Sequence, residues 1–207
     1  MTSPLARKLT LTALAVASVA ATLLALNGSA FGDQERRKAE TVEVQRFDAL
    51  YYHVAEDFPD LARKAVAVVR ARALDSQQEP GEDPDLVYTH QRFETLETYA
   101  GTMDAEFTVF LTGGMIHPHD GDPYLLSDPE NPQYEQGKEY FLVLAQHPIL
   151  SSEFVAIGPS QGRYEITDGR LVALPGSLQF GIEGRLHGKT VAEAAKMLRD
   201  ARSQRPR

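Results

Sequence analysis

Histidine and aspartate side chains cluster near the middle of the chain, at His117, His119, Asp120 and Asp122. Two imidazoles two residues apart in an extended segment can face one ion, and a carboxylate can complete a zinc site that keeps a water for hydrolysis. This pattern gives one hypothesis for the protein, a metal-dependent hydrolase. In that hypothesis His117 and His119 are ligands, and Asp120 or Asp122 is the third ligand or the base.

The same segment allows two other interpretations. With Asp128 and Glu130 further along, its carboxylates are oxygen ligands of the kind that calcium takes. Acids and histidines are also common in solvated loops, and this is the ordinary interpretation. We therefore predict no resident cofactor, with zinc or calcium at His117, His119, Asp120 and Asp122 as the alternative.

A second candidate is a serine motif, since Gly158-Pro159-Ser160-Gln161-Gly162 fits G-x-S-x-G and is followed by Asp168 and His187 in hydrolase order. That motif works only at a sharp turn between a strand and a helix. Here the segment leads into a predicted hairpin strand at Arg163. We therefore predict an ordinary turn and no catalytic residues.

Two further groups have both binding and structural interpretations. Tyr51 and Tyr52 could line a carbohydrate or peptide groove, but their helical spacing with Phe47 favours core packing. Four basic side chains could bind an anionic polymer of the cell envelope, although nearby acids favour ordinary mixed surface charge: Arg63, Lys64, Arg70 and Arg72.

The segment that contains His117 and His119 is followed along the chain by the longest apolar run outside the N-terminus, Gly137 to Ala145. Both faces of this run are apolar, a glycine opens it, and Pro148 follows it. These features predict a strand that is buried on both sides at the centre of a sheet. The preceding segment, Met115 to Gln136, has little periodicity and is predicted to be a functional or mobile loop.

Other strands are predicted where apolar residues alternate. Asp168-Gly169 is a strong hairpin signal, and a phase slip between Phe93 and Leu96 predicts a β-bulge near Glu94. The acidic residues 75–85 are predicted to be a mobile loop. The predicted strands span residues 65–74, 88–99, 106–112, 153–157, 163–167, 170–174 and 178–182.

Short helices are predicted on either side of the strands. Apolar residues recur at helical spacing from Phe47 to Leu61 with a break at Pro59, and a capping box at Thr190 and Glu193 opens a C-terminal helix. The basic tail from Arg199 is predicted to fray. The fold class is mainly β, a small β-barrel or sandwich with short flanking helices.

The N-terminus predicts export. Arg7 and Lys8 precede an uncharged apolar run from residue 9 to residue 26, which is typical of a signal peptide or a signal-anchor helix. Positive charge before the run favours a single-pass arrangement in the cytoplasmic membrane, with the N-terminus inside and the domain outside. Cleavage near Ala30 would instead release a secreted protein. The predicted organisation is a leader or anchor (1–32), a charged tether (33–45), a β-rich domain (46–189) and a helix with a basic tail (190–207).

Charge and composition exclude several classes of function. Beyond the leader the chain carries 19 basic and 29 acidic residues, a formal charge of −10, and such a surface repels nucleic acid. Cysteine is absent, which excludes disulfides, thiolate metal sites and a cysteine nucleophile.

Turn glycines and core residues resemble those of a loose group of exported bacterial β-rich proteins of unknown function. The resemblance covers roughly residues 65–174 and implies a small barrel-like domain behind an export signal, with no catalytic residues. It rests on Tyr88-Thr89, Phe93, Gly101, Gly113-Gly114, Tyr134, Gly137, Tyr140, Leu142 and Gln161-Gly162.

These observations favour a non-enzymatic binding or interaction module of the cell envelope. Its expected partners are the cytoplasmic membrane, through residues 9–26, and an envelope ligand or protein. The metal-dependent hydrolase is the alternative.

Overall fold

The computed structural model describes residues 43–46, 53–83, 85–119, 121–129, 131–174 and 181–204. Strands hold 46% of these residues and helices hold 18%, which confirms the prediction of a mainly β chain. The predicted leader and most of the predicted tether lie outside the described residues. Within those residues, every helix is too short or too polar to cross a membrane.

Ten strands and four helices follow one another along the described residues. The strands are β1 (Glu43–Arg46), β2 (Ala67–Pro80), β3 (Val87–Ala100), β4 (Glu106–Thr112), β5 (Gly114–Ile116), β6 (Tyr124–Ser127), β7 (Glu139–Gln146), β8 (Phe154–Ala156), β9 (Arg163–Thr167) and β10 (Arg170–Ala173). The helices are α1 (Phe58–Lys64), α2 (Pro159–Gly162), α3 (Glu183–Leu186) and α4 (Val191–Arg202).

Five strands close into a barrel in the order β7, β2, β3, β4, β8 and back to β7. All neighbours are antiparallel except β4 and β8, which pair in parallel at Val109 and Phe154. This order and these directions are those of the five-stranded Greek-key barrel called the OB-fold. Strands β9 and β10 extend the sheet from β7, and β1, β6 and β5 form a separate three-stranded sheet.

Strand β7 is the centre of the structure, as its apolar run predicts. Leu142 pairs with Val69 of β2 on one side and with Arg163 of β9 on the other. Alternate side chains fill two different cores. The barrel interior receives Tyr140, Leu142 and Leu144, and the core beneath the helices receives Phe141, Val143 and Ala145. Two-sided burial of the predicted strand is therefore confirmed.

The second core lies between the outside of the barrel and the helices. Helix α4 begins at the predicted capping box, in which the Thr190 side chain accepts from the Glu193 amide and the Glu193 carboxylate accepts from the Thr190 amide. The prediction that the chain frays from Arg199 is wrong, because α4 continues to Arg202. The last turn is held by Leu198 and Ala201, which are buried against the same core.

Helix α1 corrects the prediction of a break at Pro59. The Asp57 side chain caps this helix by accepting from the Asp60 amide, and Pro59 lies in its first turn, where the missing amide hydrogen costs nothing. Proline therefore begins this helix instead of interrupting it. Val54 is exposed and non-helical, and residues 47–52 lie outside the described part of the chain.

Two predicted loops contain strands. Residues 75–80 belong to β2, and those from Ser76 to Pro80 pair with β3. The segment Met115 to Gln136 contains β5 and β6. The end of β2 is polar, and β5 and β6 have only three and four residues, so apolar alternation reveals none of them, although backbone hydrogen bonds still form the ladders. The predicted bulge lies two residues further on than expected, because the partners of Arg70 and Ala71 are Glu97 and Thr95, which leaves Leu96 unpaired.

The hairpin prediction at Asp168-Gly169 is confirmed. Both residues have positive φ, 51° and 74°, which is the conformation of a type I′ turn. For the last predicted strand, Leu178 and Phe180 lie outside the described residues. Ile182 is buried at the start of α3 and is not in a strand.

Candidate functional site

The predicted metal-binding residues lie in the connection between β5 and β6. His117, His119 and Asp122 are exposed there, and Asp120 lies outside the described residues. Across the described part of the chain, no three histidine, aspartate or glutamate side chains gather closely enough to hold a metal ion. The four-residue metal site remains a prediction from the sequence.

The serine motif forms a single helical turn, α2, which leads into β9 as predicted. The hydroxyl of Ser160 donates to Oε1 of buried Glu183 at 3.1 Å, whereas Nδ1 of His187 accepts from the Ala173 amide. Gly162 has a packing role, because a Cβ on it would lie 2.5 Å from the Val143 carbonyl oxygen. Packing against β7 therefore accounts for this glycine without catalysis.

The four basic side chains considered as an anion site are all neutralised by carboxylates. Arg63 and Lys64 pair with Asp60 within the same helix. On the outside of the barrel, Glu139 joins the other two by accepting from Arg70 and Arg72. These contacts match the interpretation as mixed surface charge. Tyr51 and Tyr52 lie outside the described residues.

A different cluster stands on the outside of the barrel, where Tyr88 and His90 of β3 and Phe110 of β4 project side by side. We call these three residues the aromatic face. The ring centroids of Tyr88 and Phe110 are 5.1 Å apart, and those of His90 and Phe110 are 5.6 Å apart. Their outward direction follows from the alternation of β3, since Thr89 and Gln91 point inward and are buried.

The connection between β7 and β8 covers one edge of the aromatic face. The His147 ring lies 4.6 Å from the Phe110 ring, and Nδ1 of His147 accepts from the amides of Ile149 and Leu150 at 3.2 and 2.8 Å. At the far end of this connection, both oxygens of Glu153 lie within 3.0 Å of Nδ1 of His90. Two histidines therefore hold the connection in place.

Carboxylates flank the imidazole of His90 on both sides. Glu153 contacts Nδ1, and Oε1 of Glu79 lies 3.2 Å from Nε2. Although this contact is within ion-pair distance, the buried Nε2 makes no hydrogen bond in the described structure. The imidazole is oriented by Glu153 as in a catalytic dyad, but Nε2 faces a carboxylate where acyl transfer would need a hydroxyl.

His147 is neutral in this arrangement, because its Nδ1 must be unprotonated to accept two amide hydrogens. Burial lowers the pKa of His147, and the nearby His53 and His90 lower it further, while Glu153 opposes them. The unfolded chain therefore takes up this proton before the folded chain does. The contribution of His147 to stability is complete above its ordinary pKa of 6.5 and is lost as the pH falls from 6.5 toward its folded-state value.

We expect His147→Asn to reduce the loss of stability on acidification. Asparagine can accept the same two amide hydrogens through its side-chain oxygen, and it does not titrate. Urea unfolding between pH 7.5 and pH 5 should show a shallower slope for the variant, by at most about 1.4 kcal/mol per pH unit, the value for one proton. Parallel slopes for the two proteins would refute this role of His147.

Part of the aromatic face can be predicted from the sequence. Tyr88 and His90 are two residues apart in a predicted strand, so a shared face follows from the period of a strand. Their position beside Phe110 depends on the pairing of His90 with Phe110 in the ladder between β3 and β4, which local pattern does not specify.

Comparison with protein-family models finds no match, and comparison with the curated proteins finds no similar sequence.

Proposed function

We propose that this protein is a non-enzymatic binding module of the bacterial cell envelope and that the aromatic face is its binding surface. One observation carries the proposal. Two aromatic rings stand partly exposed on the barrel beside an imidazole that is 18% exposed, and these three side chains belong to none of the three apolar clusters formed by the described residues. Aromatic side chains in such positions give large contact areas at a low cost in side-chain entropy.

Fold analogy supports the same surface. OB-fold proteins bind their ligands across the second and third strands of the barrel and the loops beside them, and these strands correspond to β3 and β4. Fold alone does not imply function, so the proposal depends mainly on the side chains of the aromatic face. Carboxylates at Glu79 and Glu153 and the acidic charge of the chain disfavour an oligonucleotide as the ligand.

The place of action is part of the proposal. The apolar run at residues 9–26, preceded by Arg7 and Lys8, supports export with the barrel outside the cytoplasmic membrane. The run either anchors the protein in that membrane or, after cleavage near Ala30, leaves it secreted.

The proposal is tested by binding of the full-length protein to arrays of envelope glycans and of peptides. We expect at least one class to be bound, and Phe110→Ala to weaken that binding by about tenfold or more. Val172→Ala is the matched control, because Val172 is an exposed apolar residue on β10, outside the aromatic face. Melting curves should confirm that both variants fold.

Binding that is equal in the wild type and in Phe110→Ala would reject the aromatic face as the site. Turnover of a substrate by the purified protein at an enzyme-like rate would reject a purely binding function.

A further inference from the structure

We infer that the aromatic face docks a basic peptide segment of a partner protein, an inference that rests on the proposed function. The proposed function identifies the binding surface. The charge around that surface indicates which chemical class of ligand it binds.

The end of the β2–β3 hairpin beside the aromatic face is uniformly acidic. From residue 73 to residue 91 the chain has five carboxylates and neither lysine nor arginine. Those at Glu79, Glu82, Asp83 and Asp85 are exposed. A run of one sign on one end of a hairpin produces a local negative potential, which attracts cationic partners and speeds their association.

Glu79 is the carboxylate best placed for a direct contact. Its side chain is 60% exposed and lies against His90, and in the described structure no lysine or arginine lies within ion-pair distance of it. Arg92 is the nearest basic side chain along β3, and it is already held by Asp75 and Glu106. A lysine or arginine of a partner can therefore reach the exposed side of Glu79 without displacing a lysine or arginine of this chain.

The aromatic rings suit the same occupant. A cation that lies over the face of a tyrosine or phenylalanine ring within about 6 Å of its centroid is attracted by the electrons of the ring. Tyr88 and Phe110 present two such rings at a 39° tilt, 5.1 Å apart, next to the carboxylate of Glu79. The rings can contact the aliphatic stem of a basic side chain while the carboxylates bind its charged head. A neutral or acidic peptide can contact the rings but lacks a positive charge for the carboxylates.

The test uses the full-length protein and three fluorescein-labelled nonapeptides, in which serine alternates with lysine, glutamine or glutamate. Fluorescence anisotropy should show binding of the lysine peptide in preference to the other two. Raising the salt from about 0.05 M to about 0.3 M should weaken this binding several-fold, because exposed charges are screened.

Two variants locate the binding. Glu79→Lys should weaken binding of the lysine peptide about tenfold or more, through the lost attraction and the new repulsion. Asp104→Lys makes the same charge change on an exposed residue beyond the other end of β3 and should change the affinity less than about twofold. Phe110→Leu keeps apolar volume without a ring and should cost about two- to fivefold.

Equal binding of the lysine and glutamine peptides, or equal effects of Glu79→Lys and Asp104→Lys, would overturn the inference. If no lysine peptide binds while an array ligand is lost in Phe110→Ala, the inference fails and the proposed function stands. If neither experiment finds a ligand at the aromatic face, both fail.

Discussion

Replacing Phe141 by alanine is expected to lower the free energy of unfolding by about 3–5 kcal/mol, the range for loss of a fully buried aromatic side chain. Phe141 has no exposed surface and packs into the core between β7 and the helices. Its ring lies 5.8 Å from that of Tyr99. Since β7 pairs with β2, β8 and β9, a cavity beside it loosens the contacts of several strands at once.

Urea unfolding followed by circular dichroism measures this change. Val172→Ala is the control, because this β10 residue is exposed, and it should change stability by less than about 0.5 kcal/mol. A loss below about 1 kcal/mol in Phe141→Ala would contradict the central position of β7, since it would mean that the core collapses around the missing ring at little cost.

Arg163→Met is expected to destabilise the protein by about 2–3 kcal/mol, because it removes the buried donor of two partly buried carbonyl groups. Arg163 is 2% exposed, and its guanidinium donates to the carbonyl oxygens of Pro132 and Gln133. It also lies 3.6 Å from the centroid of the Tyr134 ring, which fills the barrel interior. Arg163 of β9 therefore holds the segment after β6 against the barrel.

Methionine keeps much of the apolar stem of arginine, so the loss in Arg163→Met reports on the hydrogen bonds of the guanidinium and its contact with the Tyr134 ring, and not on a cavity. Arg163→Lys should fall between methionine and the wild type, because a lysine ammonium cannot reproduce the forked geometry of a guanidinium. Arg170→Ala is the control, an exposed arginine that donates to Gly188, and it should cost less than about 1 kcal/mol. If Arg163→Met were as stable as the wild type, these contacts of the guanidinium would make no net contribution to the free energy of unfolding.

Features that depend on local chemistry were predictable from the sequence. The β7 run is apolar on both faces, Asp168-Gly169 has the residues of a type I′ turn, and Thr190 with Glu193 forms a capping box. Each signal lies within a few neighbouring residues, and the structure confirms all three. The predicted class, a mainly β chain that forms a small barrel or sandwich with short helices, follows from such signals, and the structure shows which of the two it is, a closed five-stranded barrel.

The candidate site was much less predictable. His117 and His119 attract attention because their types and spacing suit a metal, and the structure places both on an exposed connection. The aromatic face consists of ordinary residues, and no motif marks it. Its three side chains come from β3 and β4, which pair with each other, and the connection after β7 reaches its edge because β8 pairs with both β7 and β4.

The sequence by itself determined the local elements, because apolar periodicity and turn chemistry act between near neighbours. The tertiary structure decided which elements meet. The closure of β8 onto β4, the burial of Arg163 beside Tyr134 and the pairing of His90 with Phe110 join residues that are about 20 to 45 positions apart. Such contacts are selected by the packing of the whole barrel, in which a one-residue slip would turn every side chain of a strand to its other face.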